Sequence, residues 1–400
     1  MLAVSLAAFA ALCVLQRAPM ADALVYRAEG AAVARGGDLY GFTVTEWQLP
    51  ATYPPFAAIL FVPLAWLPPA ALKVAFLAGN AALVALLVRL SCRFAGLPAP
   101  APVVCAATAC ALWLEPVFQT LLFGQINLAL VCLILWDLSR PPGARGRGIA
   151  LGIAAGVKLT PALFVGYLLL SGWHRHRAGN EREGRERVRD GLTALASCGG
   201  TVLVGALALP AASLDFWTRR VFETGRVGKA WLVDNQSLQG LVARALGDPS
   251  PGPAWALPAV AAGCAGLWVA CRTPDARWGV LGTAFTALLV SPISWSHHWV
   301  WCVPLLAVLL AQGRTAVAAL TAVVFTARTL WLVPHQGDLD LRLPWWQQVL
   351  ASPYVLLVLA LTVSAWVSVR RAPAPGTDQG PAALSPLREA ECPRRRRSAA

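Results

Sequence analysis

The stretch GIALGIAAGVKLTPALFVGYLLLSG, residues 148–172, decides how the chain can be arranged in a membrane. Arginine-rich loops precede and follow it, and about 25 apolar residues cannot cross a bilayer twice as full-length helices. The KLTP sequence at its centre predicts a break between two short helices that turn inside the membrane. Lys158 then lies deep, where a cation is costly unless it has an anionic partner or lines a wet cavity.

Composition extends this interpretation to the whole chain. Of the 400 residues, 57% are hydrophobic and 13% are charged, whereas a soluble globular domain carries about 25% charged residues. Apolar blocks at 71–90, 191–210, 254–271 and 346–369 are long enough to span a bilayer. We therefore predict an all-α polytopic membrane protein with about 10–13 transmembrane or re-entrant helices.

The formal net charge of +13 comes mainly from arginines in short loops between apolar blocks. This distribution is typical of cytoplasmic loops, so we expect the lipid bilayer to be a partner and expect no nucleic acid. The ten cysteines are scattered without a CxxC pair, which favours neither a disulfide framework nor a zinc site. The opening MLAVSLAAFAALCVL (1–15) lacks a charged n-region and is expected to be a first membrane helix.

Placing the arginine clusters inside a bacterial plasma membrane gathers the polar stretches on the extracytoplasmic face. The proline-bracketed segment 54–69 is predicted to be re-entrant or interfacial on that face. Residues 1–371 are expected to form a single membrane-embedded domain, and 372–400 a disordered basic cytoplasmic tail. The stretches expected outside are 17–53, 115–127, 211–253, the SWSHHW turn and 334–345.

Two adjacent histidines, His297 and His298, lie in that turn between Trp295 and Trp299. Interfacial tryptophans anchor helix ends near lipid headgroups. Two interpretations stay open: the histidines are polar caps at a helix end, or their imidazoles donate hydrogen bonds to a phosphate. Adjacent helical residues point about 100° apart, so only one of the pair is expected to face a given ligand.

An acidic residue, Asp22, opens a segment in which residues 23–34 are predicted to form an amphipathic interfacial helix that stops at Gly36 and Gly37. Its carboxylate either complements the helix dipole or acts as a general base at the membrane edge. Tyr26 is one turn further on and shares the same face.

Amides occur in two polar motifs. FGQINLAL supplies Gln125 and Asn127, and VDNQSLQG supplies Asn235 and Gln236. Such amides either cap helices or bind sugar hydroxyls. The D-x-D spacing of GDLDL (337–341) is typical of some metal-dependent nucleotide-sugar transferases, but it is predicted to lie outside the cell, whereas nucleotide sugars are cytoplasmic.

Five motifs together resemble a known family. The actinobacterial polyprenyl-phosphate-mannose-dependent α-1,2-mannosyltransferases, glycosyltransferase family 87, are similar to this chain from about Asp22 to Trp301. The motifs, in order, are TYPPFAAILFVPLAWLP, FGQINLAL, GIAAGVKLTPALFVGYLL, NQSLQG and SPISWSHHWVW.

The resemblance implies a GT-C glycosyltransferase fold with extracytoplasmic active-site loops. It implies inverting transfer of a hexose, expected to be mannose, from a polyprenyl-phosphate donor to a hydroxyl of a glycolipid or glycan acceptor. An aspartate near the end of the first helix would be the base, and Asp22 is the residue at that position. The family often has an acidic residue where this chain has Ser296.

The leaving lipid phosphate needs positive or hydrogen-bonding partners in a dry site. If protein side chains fill that role, no metal or other cofactor is required. The residues expected to contact the donor phosphate are His297, His298, Lys158 and Arg342. Those expected to bind substrate are Tyr26, Tyr53, Gln125, Asn127, Asn235 and Gln236.

Other function classes stay open at this point. A polytopic transporter or lipid flippase would also use an intramembrane Lys158 and broken helices, although no internal repeat relates the two halves of the sequence. A non-catalytic membrane scaffold would give the gathered polar motifs no purpose. A related transferase of arabinose or glucose would carry the same features as a mannosyltransferase.

Overall fold

The computed structural model describes residues 1–16 and 18–371, and this part of the chain is almost entirely helical. The expected all-α membrane fold is confirmed, because one short strand pair is the only sheet in the described residues. The tail expected at 372–400 lies outside them.

The helices fall into two halves of nine along the chain. The first nine are α1 (Leu2–Leu15), α2 (Ala21–Arg35), α3 (Pro55–Leu60), α4 (Pro69–Ala95), α5 (Ala101–Ala111), α6 (Glu115–Phe123), α7 (Asn127–Leu138), α8 (Ile149–Val157) and α9 (Ala162–Arg177). The next nine are α10 (Glu181–Ala208), α11 (Pro210–Thr218), α12 (Leu238–Leu246), α13 (Pro253–Arg272), α14 (Ala276–Val290), α15 (Cys302–Ala311), α16 (Thr315–Thr326), α17 (Trp345–Ala351) and α18 (Pro353–Arg371).

Shorter elements connect these helices. Strands β1 (Thr43–Val44) and β2 (Leu49–Pro50) pair antiparallel. The 3-10 helices are Val62–Trp66, Arg220–Phe222, Thr224–Arg226, Ser296–Trp301, Thr329–Trp331 and Leu339–Arg342.

Three helices, α4, α10 and α13, are long and apolar enough to cross a membrane, as the sequence predicts for 71–90, 191–210 and 254–271. Two helix pairs pass the same test only together, because α5 and α6 meet at 79° and α17 and α18 at 83°. Five shorter apolar helical segments, from 10 to 17 residues long, accompany them in the described part of the chain. Full-length helices therefore enclose others that are too short to span alone.

The bend between α17 and α18 differs from the single span that the sequence predicts at 346–369. Ser352 leaves the helical conformation, with φ −132° and ψ 39°, directly before Pro353. Proline disfavours a helical conformation in the residue before it and cannot donate a backbone hydrogen bond. The bend between α5 and α6 similarly interrupts the helix predicted at 101–118, just before Pro116.

The predicted break at KLTP is confirmed. Helix α8 ends at Lys158, whose backbone is extended (φ −143°, ψ 130°), and α9 begins after Pro161. Helix α8 has nine residues, which corresponds to a length of about 14 Å. Since a bilayer core is about 30 Å thick, a helix of this length carries Lys158 only part of the way across.

Helix α10 packs against both sides of this break. Gly148 and Gly156 of α8 approach Asp190 and Thr201 of α10 respectively, so these two helices run parallel. Helix α9 returns antiparallel to α10, with Gly172 against the carbonyl of residue 184. The far ends of α8 and α9 therefore lie on one side, and the Lys158 break lies at the other end of the hairpin.

A buried polar cluster fixes the base of this hairpin, opposite Lys158. Arg147 and Asp190 form an ion pair of 2.7 Å, with side-chain exposures of 6% and 1%. The carboxylate of Asp137 accepts the backbone N–H groups of Gly148 and Leu151 at 2.9 and 3.0 Å, which satisfies free donors at the start of α8. The ends of α7, α8 and α10 are held together here.

The predicted amphipathic helix at 23–34 is confirmed as α2, which ends at Gly36 in the left-handed region (φ 65°). The segment predicted at 54–69 forms α3 and a 3-10 helix, and Gly30 of α2 packs directly on the carbonyl of Phe61 between them. The start of α2 is positioned by the N–H of Met20, which donates to the carbonyl of Leu122 at 3.2 Å.

Close packing of α8 on α10 predicts the effect of a methyl group at Gly152. A Cβ there would lie 2.3 Å from the carbonyl oxygen of Ala194, so Gly152→Ala should lower the free energy of unfolding by about 1–3 kcal/mol. The matched control is Gly166→Ala in α9, where a Cβ would have no packing neighbour within 4 Å; alanine should be neutral or stabilising there. Thermal unfolding of the purified protein in detergent measures both, and equal midpoints for the two variants would contradict the packing.

Candidate active site

The Lys158 side chain connects three segments at the break between α8 and α9. Its ammonium donates to the amide oxygen of Asn127 at 3.0 Å and lies 3.1 Å from Nε2 of His298. It also lies 5.7 Å from the ring centroid of Tyr53, within range of a cation–π interaction. Because an ammonium only donates, Nε2 of His298 is the acceptor and its ring proton is assigned to Nδ1.

The two histidines have different surroundings. His297 is buried, its ring packs against Phe123, and both of its ring nitrogens are without a partner in the described part of the chain. Its carbonyl accepts from Thr120 Oγ at 3.0 Å and from Asn127 Nδ2 at 3.1 Å. The His298 ring stands at 88° to that of His297 and is partly exposed beside Lys158.

One face of α2 presents Asp22, Tyr26 and Glu29, because the spacings of four and three residues keep them in line. The Tyr26 hydroxyl donates to Gln125 Oε1 at 2.9 Å and lies 3.1 Å from the hydroxyl of Tyr53. Gly124 permits this approach, since its φ is 69° and a Cβ on it would lie 2.8 Å from Ala23.

The electrostatic environment of Asp22 suits a proton acceptor. Burial raises the pKa of its carboxyl to about 6, and the negative charge of Asp234 acts in the same direction. A hydrogen bond from Gln125 and the charge of Lys158 oppose the increase. Asp22 therefore stays ionised at neutral pH while being more basic than an ordinary aspartate.

Glu29 is a buried acid that sequence reasoning misses. Its carboxylate accepts the N–H of Thr52 at 3.3 Å and holds the backbone that carries Tyr53. Burial raises the pKa of Glu29 to about 8. No sequence signal distinguishes it from an exposed glutamate on the polar face of an amphipathic helix.

An apolar groove begins beside Lys158. It encloses about 450 Å³ of space free of protein atoms, and its walls include Leu130, Phe164 and Leu288. The groove has one polar end, formed by Asn127, Lys158, Thr160 and His298. Such a shape fits a molecule with an anionic head and a hydrocarbon chain.

The predicted amides of the NQS motif serve the backbone. Asn235 Nδ2 donates to the carbonyls of residues 230 and 292, and its Oδ1 accepts the N–H of Ser294 at 2.8 Å. Gln236 Nε2 donates to the carbonyls of residues 233 and 351, and its Oε1 accepts the N–H of Tyr354. Both side chains are fully buried, and their role in substrate binding stays a prediction.

The predicted residues of the 334–345 loop lie apart from this group. Arg342 is exposed on the 3-10 helix Leu339–Arg342, and its binding of phosphate stays a prediction. Of the D-x-D pair, Asp338 forms an ion pair with Lys229 at 2.6 Å, and buried Asp340 accepts the N–H of Val233. The described residues contain no group of three or more His, Cys, Asp or Glu that could hold a metal ion.

Two further charged residues near the NQS motif are found only in three dimensions. Asp234 is partly exposed and accepts the N–H of Ser296 at 3.0 Å. Buried Arg244 donates to the carbonyls of residues 231, 232 and 235 and to Ser352 Oγ. The sequence offers no signal for either role, because both depend on segments far apart in the chain.

Comparison with known proteins adds independent support. Residues 51–292 match the model of glycosyltransferase family 87, a range that includes Gln125, Asn127, Lys158 and Asp234. No solved structure matches the chain.

Curated relatives cover most of the chain. A polyprenol-phosphate-mannose-dependent alpha-(1-2)-phosphatidylinositol mannoside mannosyltransferase of Mycobacterium tuberculosis is 33% identical over 84% of this chain and 80% of its own length. The protein of the same name from Mycolicibacterium smegmatis is 32% identical, over 86% and 82% respectively. A phosphatidylinositol pentamannoside mannosyltransferase of M. smegmatis is 31% identical, over 88% and 85%.

The contacts of Arg244 predict that it stabilises the segment around Asp234. Arg244→Met removes the donors for three carbonyls, so the free energy of unfolding should fall by at least about 2 kcal/mol. Arg182→Met is the control, because Arg182 is 88% exposed and pairs only with Glu186 at the surface. Thermal unfolding of both purified variants is the measurement, and a loss confined to Arg182→Met would contradict the assignment.

Proposed function

The chain belongs to glycosyltransferase family 87, and we propose that it transfers mannose from polyprenol-phosphate mannose to a phosphatidylinositol mannoside. The names of its relatives support this donor and this class of acceptor. The observation that carries the proposal is the cluster of Lys158, Asn127 and His298 at the polar end of an apolar groove, with Asp22 nearby. Family membership also makes an enzyme a better interpretation than a transporter.

The donor would bind with its phosphate at Lys158 and His298 and its first isoprene units in the groove. Lys158 would supply the positive charge and Nδ1 of His298 a hydrogen bond, both fixed before the reaction begins. Preorganised donors of this kind contribute about 3–4 kcal/mol each to transition-state stabilisation. Asn127 would hold the arrangement, since its amide contacts both Lys158 and the carbonyl of His297.

Transfer would proceed by a single displacement. Asp22 takes the proton of an acceptor hydroxyl as that oxygen attacks the anomeric carbon of the donor mannose. The bond between that carbon and the phosphate oxygen breaks, and the lipid phosphate leaves with the electron pair. One displacement inverts the configuration at the anomeric carbon, and Asp22 receives its proton without any change in the number of charges in the site.

The aromatic and amide side chains next to Asp22 would form the sugar-binding wall. Tyr26 and Tyr53 both direct their hydroxyls at Gln125 Oε1, at 2.9 and 3.4 Å, so the three side chains move as one unit. We include them in the proposed substrate site for that reason.

The proposed orientation places this site on the extracytoplasmic face. Arg140, Arg147, Arg175 and Arg187 lie around the far ends of the α8–α9 hairpin, away from Lys158. Arginines near helix ends favour the cytoplasmic side, so the opposite end would face outward. Residues 1–371 would then act as a single domain.

Removing the proposed base should abolish transfer. Membranes that carry the protein are incubated with radiolabelled polyprenol-phosphate mannose and phosphatidylinositol mannosides, alongside membranes with Asp22→Asn. Loss of a general base lowers the rate by about 10²- to 10⁴-fold. In the unaltered protein, kcat/KM should rise with pH through about 6 and then level off, because the carboxyl must lose its proton to act.

The ionisable groups that surround Asp22 in this experiment are Lys158, Asp234, Glu29, Tyr26 and Tyr53. Glu46→Gln is the control, because Glu46 is an exposed acid after the same helix. Transfer that survives in Asp22→Asn would refute the base assignment, and absence of transfer by the unaltered protein would refute the proposed donor or acceptor.

Neutralising Lys158 should weaken the use of the donor. Lys158→Met is expected to lower kcat/KM for polyprenol-phosphate mannose by about 10²-fold, whereas Lys158→Arg should retain part of the rate. Lys229→Met is the matched control, since Lys229 is 54% exposed and pairs with Asp338. Steady-state kinetics with varied donor measure the effect; a folded Lys158→Met protein with full activity would disprove a phosphate contact.

A further inference from the structure

The segment that carries Asp234 lies alongside the histidine turn. Asn235 and Trp295 form an antiparallel bridge, and the N–H of Gln236 donates to the carbonyl of Ser294 at 2.8 Å. This register places Asp234 opposite Ser296, whose N–H its carboxylate accepts at 3.0 Å. Asp234 is therefore one residue away from the histidine pair across the bridge.

Among its neighbours, Asp234 is the one polar side chain that is not consumed by the packing. Asn235, Gln236 and Ser237 are each 0% exposed and bonded to backbone groups. Asp234 is partly exposed and is held only through Ser296. The carboxylate thus combines a fixed position with access from outside the protein core.

The backbone beneath Asp234 is fixed from both sides. Arg244 donates to the carbonyls of residues 231, 232 and 235, and Asp340 accepts the N–H of residue 233. A rotation at Asp234 would break several of these buried hydrogen bonds, each costly to leave unmade. The position of its carboxylate is preorganised in the way that a binding residue requires.

The charges near Asp234 indicate what it faces. Its carboxylate interacts electrostatically with that of Asp22, and burial raises the pKa of Asp234 itself. Asp234 does not line the groove that begins at Lys158 and His298. An anion in this place would repel a donor phosphate, so hydroxyl groups are the ligands that suit it.

We propose that Asp234 binds the acceptor sugar by accepting a hydrogen bond from the hydroxyl adjacent to the one that Asp22 deprotonates. The inference rests on the proposed function and deepens it by naming a feature of the acceptor. For a mannoside attacked at O2, the adjacent free hydroxyl is O3, and the two are cis. Asp22 and Asp234 together then read a vicinal diol, one oxygen each.

This arrangement predicts selection among acceptors. A carboxylate only accepts hydrogen bonds, so an acceptor without the O3 hydroxyl would leave Asp234 buried beneath the sugar without a partner. A site built to bond a hydroxyl rejects analogues that lack it. For one hydrogen bond to a charged group the expected penalty is about 10- to 100-fold in kcat/KM.

The test uses octyl α-D-mannopyranoside and its 3-deoxy analogue as acceptors with polyprenol-phosphate mannose. The unaltered protein should prefer the parent acceptor by about 10- to 100-fold. In Asp234→Ala the two acceptors should be used equally, at the lower rate, while KM for the donor stays unchanged. Asp338→Asn is the control; its exposed carboxylate pairs with Lys229, and the preference should persist.

Asp234→Asn provides a second variant, because its amide oxygen can still accept the N–H of Ser296. Neutralising residue 234 also removes a charge that raises the pKa of Asp22, so the acid limb of the pH profile should move to lower pH. The groups that remain around Asp22 are Lys158, Glu29, Tyr26 and Tyr53. A purely structural role for Asp234 would leave this limb in place.

Each other outcome overturns the inference. A 3-deoxy penalty that persists in both folded variants, or a change confined to KM for the donor, would show that Asp234 does not bind the acceptor. Unfolding of Asp234→Asn would make the residue structural. Absence of transfer by the unaltered protein to every mannoside would refute the proposed function and this inference with it, whereas the first results refute the inference alone.

Discussion

The two hydrogen bonds of the Lys158 ammonium, to the amide oxygen of Asn127 and to the imidazole of His298, join segments more than thirty residues apart in the sequence. Both partners are neutral, so they satisfy the donors of Lys158 without cancelling its charge. Asn127 continues the network to the carbonyl of His297. A buried cation that keeps its field is expensive in free energy, and the proposed anionic headgroup would offset that cost on binding.

Helix length is the second constraint on the site. Helix α7 has 12 residues, α8 has nine and α15 has ten, whereas α4 and α10 have 27 and 28. The short helices end where the polar groups gather, and the long ones surround them. Irregular backbone at this depth is tolerated because protein covers it, and a recess of low dielectric strengthens the charges inside it.

Much of this arrangement is predictable from sequence, because it follows from local rules. The break at Lys158 follows from proline chemistry, and the end of α2 at Gly36 from the left-handed conformation that glycine adopts. The bend before Pro353 obeys the same rule, yet the apolar run around it conceals it. What the sequence cannot provide is the pairing of 234–236 with 294–296, since no local signal encodes contact between segments about sixty residues apart. That pairing is why Asn235 turns out to hold backbone while its neighbour Asp234 is left accessible.

The buried ion pair of Arg147 and Asp190 gives helix α8 the properties of a ruler. It fixes one end of a rigid rod against α10, and the other end carries Lys158. One extra residue in that rod would raise the ammonium by about 1.5 Å and turn it by about 100°. The depth of the charge below the membrane surface is therefore counted out in residues from the arginine-rich side, and evolution can shorten or lengthen the loops around α8 far more freely than the nine residues within it.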